Sequence, residues 1–401
     1  MHMTDPARTA AEPIPGGAPA LPSLPPVPAR RTPSTALIVF TVLGFTIVGF
    51  LALAVTAYLF FGLGPVAFVI SGVLALIPLA VVITAITLID RWEPEPRPAL
   101  LFAFLWGAAA SVAAALVVDV GVQIFVELAT GGPATTDVLA SVIQAPVVEE
   151  GAKGLGVLLL FWVFRRQFDG PVDGLVYGAT IAAGFAFTEN ILYFASALAD
   201  GGIASLGITF GLRGIMAPFA HVMFTACTGV AIGFAARSRN IAAGIGIVIA
   251  GWLLAVGLHA FWNGSTYLVE GLGGFFLLYV LVQVPLFAVA IVLVVQLRKA
   301  ETRATAARLA EYAAAGWYAP DEVRFLSTGA GRRAALRWAS TLPGGRRAMR
   351  SFIRDSTRLA FTRQRIVTGR GGLAPLADER ALLDAVTADR IALASARGVA
   401  L

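Results

Sequence analysis

An all-α, polytopic membrane bundle of eight transmembrane helices with a cytoplasmic helical C-terminal tail is the fold this sequence predicts. Three observations carry that expectation: an apolar composition, apolar runs of span length, and arginines confined to alternate loops. Hydrophobic residues make up 58% of the 401 residues and charged residues 13%, and the mean hydropathy is +0.80. Such a chain lies far outside the composition of a water-soluble domain.

Residues 1–34 carry nine prolines among scattered Ala and Gly. This mixture buries too little apolar surface to fold and reads as a disordered cytoplasmic tail. A membrane helix needs about 20 mostly apolar residues. Runs of that kind follow at 36–62, 66–90, 99–127, 138–164, 174–199, 212–236, 241–267 and 272–297. The first starts too late and runs too long for a cleavable secretory segment, so it is expected to be a retained span, and no targeting peptide is evident. Backbone groups in lipid must be satisfied internally, which makes every run a helix.

With eight spans, Arg30, Arg31, Arg91, Arg97, Arg165, Arg166, Arg237, Arg239, Arg298 and Lys299 all fall on one side, against Arg213 alone on the other. Loops that retain Lys and Arg are cytoplasmic. The bias therefore predicts a plasma-membrane protein with both termini in the cytoplasm and a membrane domain over 35–298. Residues 299–401 form the basic tail, with 17 arginines and nine acids after position 300. Pro320, Pro343, Gly344, Gly345 and the run from Gly369 to Gly372 divide it into short amphipathic helices. Leu376, Leu382, Leu383, Val386 and Ile391 lie at helical spacing in the last of these. The tail is expected to lie against anionic lipid, and no motif in it points to nucleic acid. The single cysteine, Cys227, excludes a disulfide framework or cysteine zinc cluster within the chain.

Ionisable side chains at membrane depth cost about 2.5 to 3.5 kcal/mol each on the lenient insertion scale, so each asks for a reason. The fourth run holds Glu149, Glu150 and Lys153, the fifth Glu189 and Asn190, the sixth His221, and the seventh His259 and Asn263. Counted from each span's outer end at 1.5 Å per residue, the three glutamates and both histidines lie about 12 to 18 Å below the outer face. Four helices thus present acids and imidazoles at one level, where a bundle assembles a metal or proton-transfer site. Asp119 of the third run falls at a similar level and is a candidate for the same network. Glu149 and Glu150 point about 100° apart on their helix, so one acts while the other supports, with Lys153 able to hold one ionised. A proton-coupled transporter or channel would use the same kinds of residue, although no matching halves are visible. A scaffold recruiting partners through the basic tail is a third reading.

At these positions the chain resembles the PrsW family of membrane peptidases, related to the CAAX-prenyl and Abi-type peptidases. Glu149-Glu150-Gly-Ala-Lys153 matches an EExxK element, Phe185 to Glu189 an FxxxE element, His221 a third, and His259 to Asn263 an HxxxN element. Asp90 to Pro96 resembles a DxxEPEP loop and Asp173 to Gly178 a DGxxYG element. The resemblance implies hydrolysis of a peptide bond in a single-span membrane protein such as an anti-sigma factor, near the outer half of the bilayer. Glu149 or Glu150 would activate the water, and Asn263 would donate to the oxyanion. His221, His259 and Glu189 would position that water or hold Zn2+, three ligands leaving one open position. The related peptidases also point to a metal-free glutamate mechanism, so both schemes stay open.

Overall fold

The computed structural model describes residues 35–131, 137–165, 168–238, 240–369 and 374–398. The expected disordered tail 1–34 lies outside them, as do Arg166, Arg239, Gly371 and Gly372. Among the described residues every regular element is helical. Along the apolar part run α1 (Thr35–Leu63), α2 (Pro65–Ile89), α3 (Arg97–Thr130), α4 (137–163), α5 (Pro171–Phe210), α6 (Ala220–Ala236), α7 (Ile241–Leu268) and α8 (271–314).

Six stretches among the described residues are long and apolar enough to cross a membrane, which makes this a multi-pass membrane protein. They differ from the expected eight at two places. No span-length stretch of α4 escapes Glu149, Glu150 and Lys153, so apolarity alone does not mark it. The run from Pro171 to Ala236 is continuous enough to count once. The fifth helix was expected to stop near 199, at the Asp200-Gly201-Gly202 sequence. Instead Gly202 takes the left-handed conformation (φ 66, ψ −155) and the chain resumes helix to Phe210. A glycine can turn the axis there at little cost because it has no Cβ.

α5 is the central helix, with nearly every residue from Pro171 to Phe185 buried. Its neighbours approach so closely that only hydrogen fits between backbones. A Cβ on Gly174 would lie 1.9 Å from the Gly229 carbonyl oxygen of α6, and one on Gly107 of α3 only 1.8 Å from that of Ile181. Small residues at helix contacts are how lipid-embedded helices pack without a hydrophobic force between them. Gly174→Ala should therefore lower the unfolding free energy in micelles by about 1–3 kcal/mol or more, because backbone is what must give. Gly246→Ala, whose Cβ meets nothing within 4 Å, should leave it unchanged.

One end of the bundle is tied together by arginines. Arg298 donates to the Leu88 carbonyl at 2.7 Å and Arg237 to that of Asp169 at 2.9 Å. The DxxEPEP-like loop sits at this end. Asp90 accepts from the Glu95 backbone N–H at 3.1 Å, and Tyr177 of the DGxxYG-like element donates to Glu95 at 2.5 Å. Burial, with nearby acids adding to it, pushes the Glu93 and Glu95 carboxyls well up.

Residue 298, expected to close the membrane domain, falls inside α8, which continues without a break to Ala314. Beyond it α9 (Pro320–Leu326), α10 (Gly329–Ala339), α11 (Gly345–Val367) and α12 (Ala374–Ala396) enclose a core of Leu309, Leu326, Met349, Phe352, Leu359 and Val386. Leu382 and Leu383 pack against that core, whereas Leu376 and Ile391 of the expected apolar face are exposed. Arg332 locks this unit to the bundle. Its guanidinium lies 3.4 Å over the Trp92 ring, donates to the Trp92 carbonyl at 2.9 Å and reaches Thr357 at 2.7 Å.

Candidate active site

The expected polar layer forms, and Lys153 is at its centre. On α4, Glu150, Lys153 and Gly154 face inward one turn apart and are buried. The fully buried Lys153 ammonium donates to Glu150 at 2.8 Å, to Glu149 at 3.3 Å and to His221 Nδ1 at 3.3 Å. Its fourth neighbour is the Phe185 ring, 3.7 Å from Nζ to centroid, a cation–π contact that replaces lost hydration.

The two adjacent glutamates are placed differently, as their angular offset requires. Glu150 is fully buried and accepts from Lys153, from Thr225 Oγ1 at 2.8 Å and from His259 Nδ1 at 3.2 Å. Glu149 is 8% exposed. Among the described residues only Lys153 bonds to it, through Oε2, with His259 Nε2 at 3.8 Å from the same oxygen. It is thus the glutamate with acceptor capacity to spare.

The hydrogen-bond partners fix both imidazoles. Because Lys153 can only donate, His221 Nδ1 accepts, and its Nε2–H donates to Glu189 Oε2 at 2.7 Å. His259 donates from Nδ1 to Glu150, which turns Nε2 toward Glu149. The rings stand 5.0 Å apart at 88°, and Phe224 stacks on His259 at 4.9 Å.

Arg213 completes the site and was missed by sequence reasoning except as a charge out of place. It donates to Glu189 Oε2 at 2.5 Å and to Asn190 at 3.0 Å, and lies 4.0 Å over the Tyr193 ring. Its signal was its isolation as the one basic residue in the opposite loops. Thr225, one turn beyond His221, was likewise legible only as a member of the same helix face.

This changes the ligand set expected for a metal. Glu189 is occupied by Arg213 and His221, whereas donor atoms of Glu149, His221 and His259 all lie within 4.8 Å of one another. Two imidazoles and a carboxylate fit Zn2+ in number and kind, with His221 able to serve as a ligand only by giving up its bond from Lys153 to Nδ1. The Glu150 to His259 bond is the outer carboxylate that orients a ligating histidine. Asp119 does not join the network, because it bonds to Gln123 at 2.8 Å and Gln144 at 3.2 Å on the rim of α3. Asn263 also stands apart from the carboxylates, donating to the Ser141 carbonyl at 2.8 Å.

A cavity of about 650 Å³ leads to this layer from the bundle end away from the arginine ties. His221, Asn190, Arg213, Asn263, Thr266 and Tyr279 are on its walls. Its size suits a bound segment a few residues long.

Residues 95–290 match the PrsW family intramembrane metalloproteases. The chain is similar to Protease PrsW of Geobacillus kaustophilus (strain HTA426), at 30% identity over 154 residues, 38% of this chain and 61% of that protein. It is also similar to Protease PrsW of Clostridioides difficile (strain 630), at 31% identity over 162 residues, 39% of this chain and 62% of that one. It thus spans about three fifths of the length of these curated relatives. No solved structure matches it significantly. Through its 95–290 region, which contains every residue of the buried Glu, Lys and His layer, the chain is similar to the PrsW family.

Proposed function

We propose that the protein is an intramembrane endopeptidase that hydrolyses a peptide bond of a membrane-anchored substrate near the outer half of the bilayer. The observation that carries this reading is the convergence of Glu149, His221 and His259 donor atoms within 4.8 Å, beside a cavity bounded by His221. The arginine-rich loops would face the cytoplasm under the positive-inside rule. That orientation puts the cavity mouth outside, both termini and residues 299–401 inside, and counts α4, α5 and α6 separately in eight plasma-membrane spans.

In this mechanism Glu149 takes a proton from a water as the water oxygen attacks the scissile carbonyl carbon. The tetrahedral oxyanion accepts a hydrogen bond from the cavity wall, where α7 contributes the Asn263 amide. Collapse breaks the C–N bond, and the proton held by Glu149 passes to the leaving nitrogen. Glu150 keeps Lys153 and His259 in place without touching substrate, and Glu189 with Arg213 orients His221. In the metal scheme Glu149, His221 and His259 would hold Zn2+, which when bound supplies a Lewis acid that lowers the pKa of the water, and Glu149 would then serve as ligand in place of base. The metal-free glutamate scheme uses the same residues, with the histidines bonding the water directly. A single-span protein with a poorly helical segment, such as an anti-sigma factor, would suit the site, because only an unwound helix exposes its backbone to attack.

The test is reconstitution in liposomes with a single-span reporter, following reporter cleavage and proton or ion flux together. Cleavage without flux is the expected result. Flux without cleavage would instead make the buried Glu and His layer a proton relay.

A further inference from the structure

The cavity has one loosely held wall. In α8, Gln283 is the only buried residue between 273 and 297 among the described residues, so this helix is nearly independent of the bundle along its apolar length. It starts at Gly271 (φ 64) in the glycine-rich sequence Gly271-Leu-Gly-Gly274, a backbone free to pivot. It also changes to π-helix at Tyr279–Gln283. The wall facing it is irregular too, with π-helix at Gly211–Met216 and Ala217 outside helical geometry (φ −123, ψ 30). π turns inside α-helices mark places where a helix can shift register cheaply, and they cluster at functional sites. One side-chain hydrogen bond joins these two irregular segments, from the Tyr279 hydroxyl to the Met216 carbonyl at 2.8 Å, and both residues are on the cavity wall.

We propose that the seam between 211–219 and α8 is a lateral opening, latched by Tyr279 on Met216, through which an unwound stretch of a substrate's membrane segment passes from lipid to His221. The proposal rests on the peptidase reading and adds the route by which its substrate arrives. A membrane segment approaches through lipid, so its way in must open sideways. Once unwound, it must replace each lost backbone hydrogen bond. The cavity answers that need with Ser141, Asn190, Thr209, Asn263 and Thr266 on its walls. Behind the wall, Gln283 holds a donor and an acceptor in reserve, since neither of its buried amide atoms has a hydrogen-bond partner among the described residues, and it lies about one helical turn from Tyr279. A single hydrogen bond is a weak tie, suited to a contact that must break in each turnover.

The test uses the full chain in liposomes carrying Met216→Cys and Tyr279→Cys in a Cys227→Ser background, closed with a short reducible bis-thiosulfonate cross-linker. Two substrates are compared: a single-span reporter in the same bilayer, and a short soluble peptide with the same scissile sequence. Closure is expected to slow reporter cleavage about tenfold or more beyond any effect on the peptide, a difference that reads access and not chemistry. Reduction should reverse it. Tyr279→Phe, which removes the latch alone, is expected to speed reporter cleavage about two- to tenfold. Equal slowing of both substrates, greater slowing of the peptide, or no effect on either would overturn the opening. Absence of cleavage of both substrates before closure would overturn the peptidase reading itself.

Discussion

Glu149→Gln is expected to lower cleavage by about 10²–10⁴-fold, the contribution of a positioned general base. Gln keeps the shape of the side chain and can still accept from Lys153, so the fold should survive. What it loses is the ability to take a proton from water. The prediction singles out Glu149 over its neighbour because Glu150 already accepts from Lys153, Thr225 and His259, whereas Glu149 bonds to Lys153 alone among the described residues. Initial rates on a single-span reporter check it, with the unfolding midpoint of the variant measured beside them. Full activity in Glu149→Gln would remove this residue from the chemistry under both the metal and the metal-free scheme.

Lys153→Met is expected to destabilise the protein by about 3–5 kcal/mol, the cost of leaving buried charge without its partner. Met fills most of the same volume, so the effect reads electrostatics more than packing. The ammonium is fully buried and serves Glu149, Glu150 and His221 together. Its removal leaves the carboxylates of two adjacent residues, Glu149 and Glu150, without their shared cation at membrane depth. Denaturant unfolding in micelles measures the loss. Adding Glu150→Gln to Lys153→Met should recover part of it, since that pair is the shortest and best buried, at 2.8 Å. A strictly additive double variant would show that the pair is not coupled.

The layer of acids and imidazoles was legible in the sequence because charge inside an apolar run has no bland explanation, and helical rise converts residue counts into depth. Depth is not direction, however. Asp119 lies at a suitable level but turns to Gln123 and Gln144, since the azimuth of a helix is set by packing that the sequence does not display. The same gap hid the partition of roles among the carboxylates. Glu189 looked like a ligand until Arg213 was found on it at 2.5 Å. Arg213 reaches Glu189 from the segment after Gly202, whose kink and resumed helix replace what reads as a loop. The basic tail was legible as helices but not as a folded unit. Its core draws on residues as far apart as Leu309 and Val386, contacts that no local period encodes. The DxxEPEP-like and DGxxYG-like elements, far apart in sequence, meet as Tyr177 on Glu95 at 2.5 Å. They meet at the end of the bundle away from the cavity.

Mass-spectrometric mapping of the bond cut in a single-span reporter, by wild type and by Glu149→Gln, tests most directly whether these side chains work as one centre reached through the cavity. The account predicts a cut in the half of the reporter span nearest the cavity mouth, lost in the variant. A cut in the half nearest the arginine-rich loops, or an unchanged cut in the variant, would contradict it.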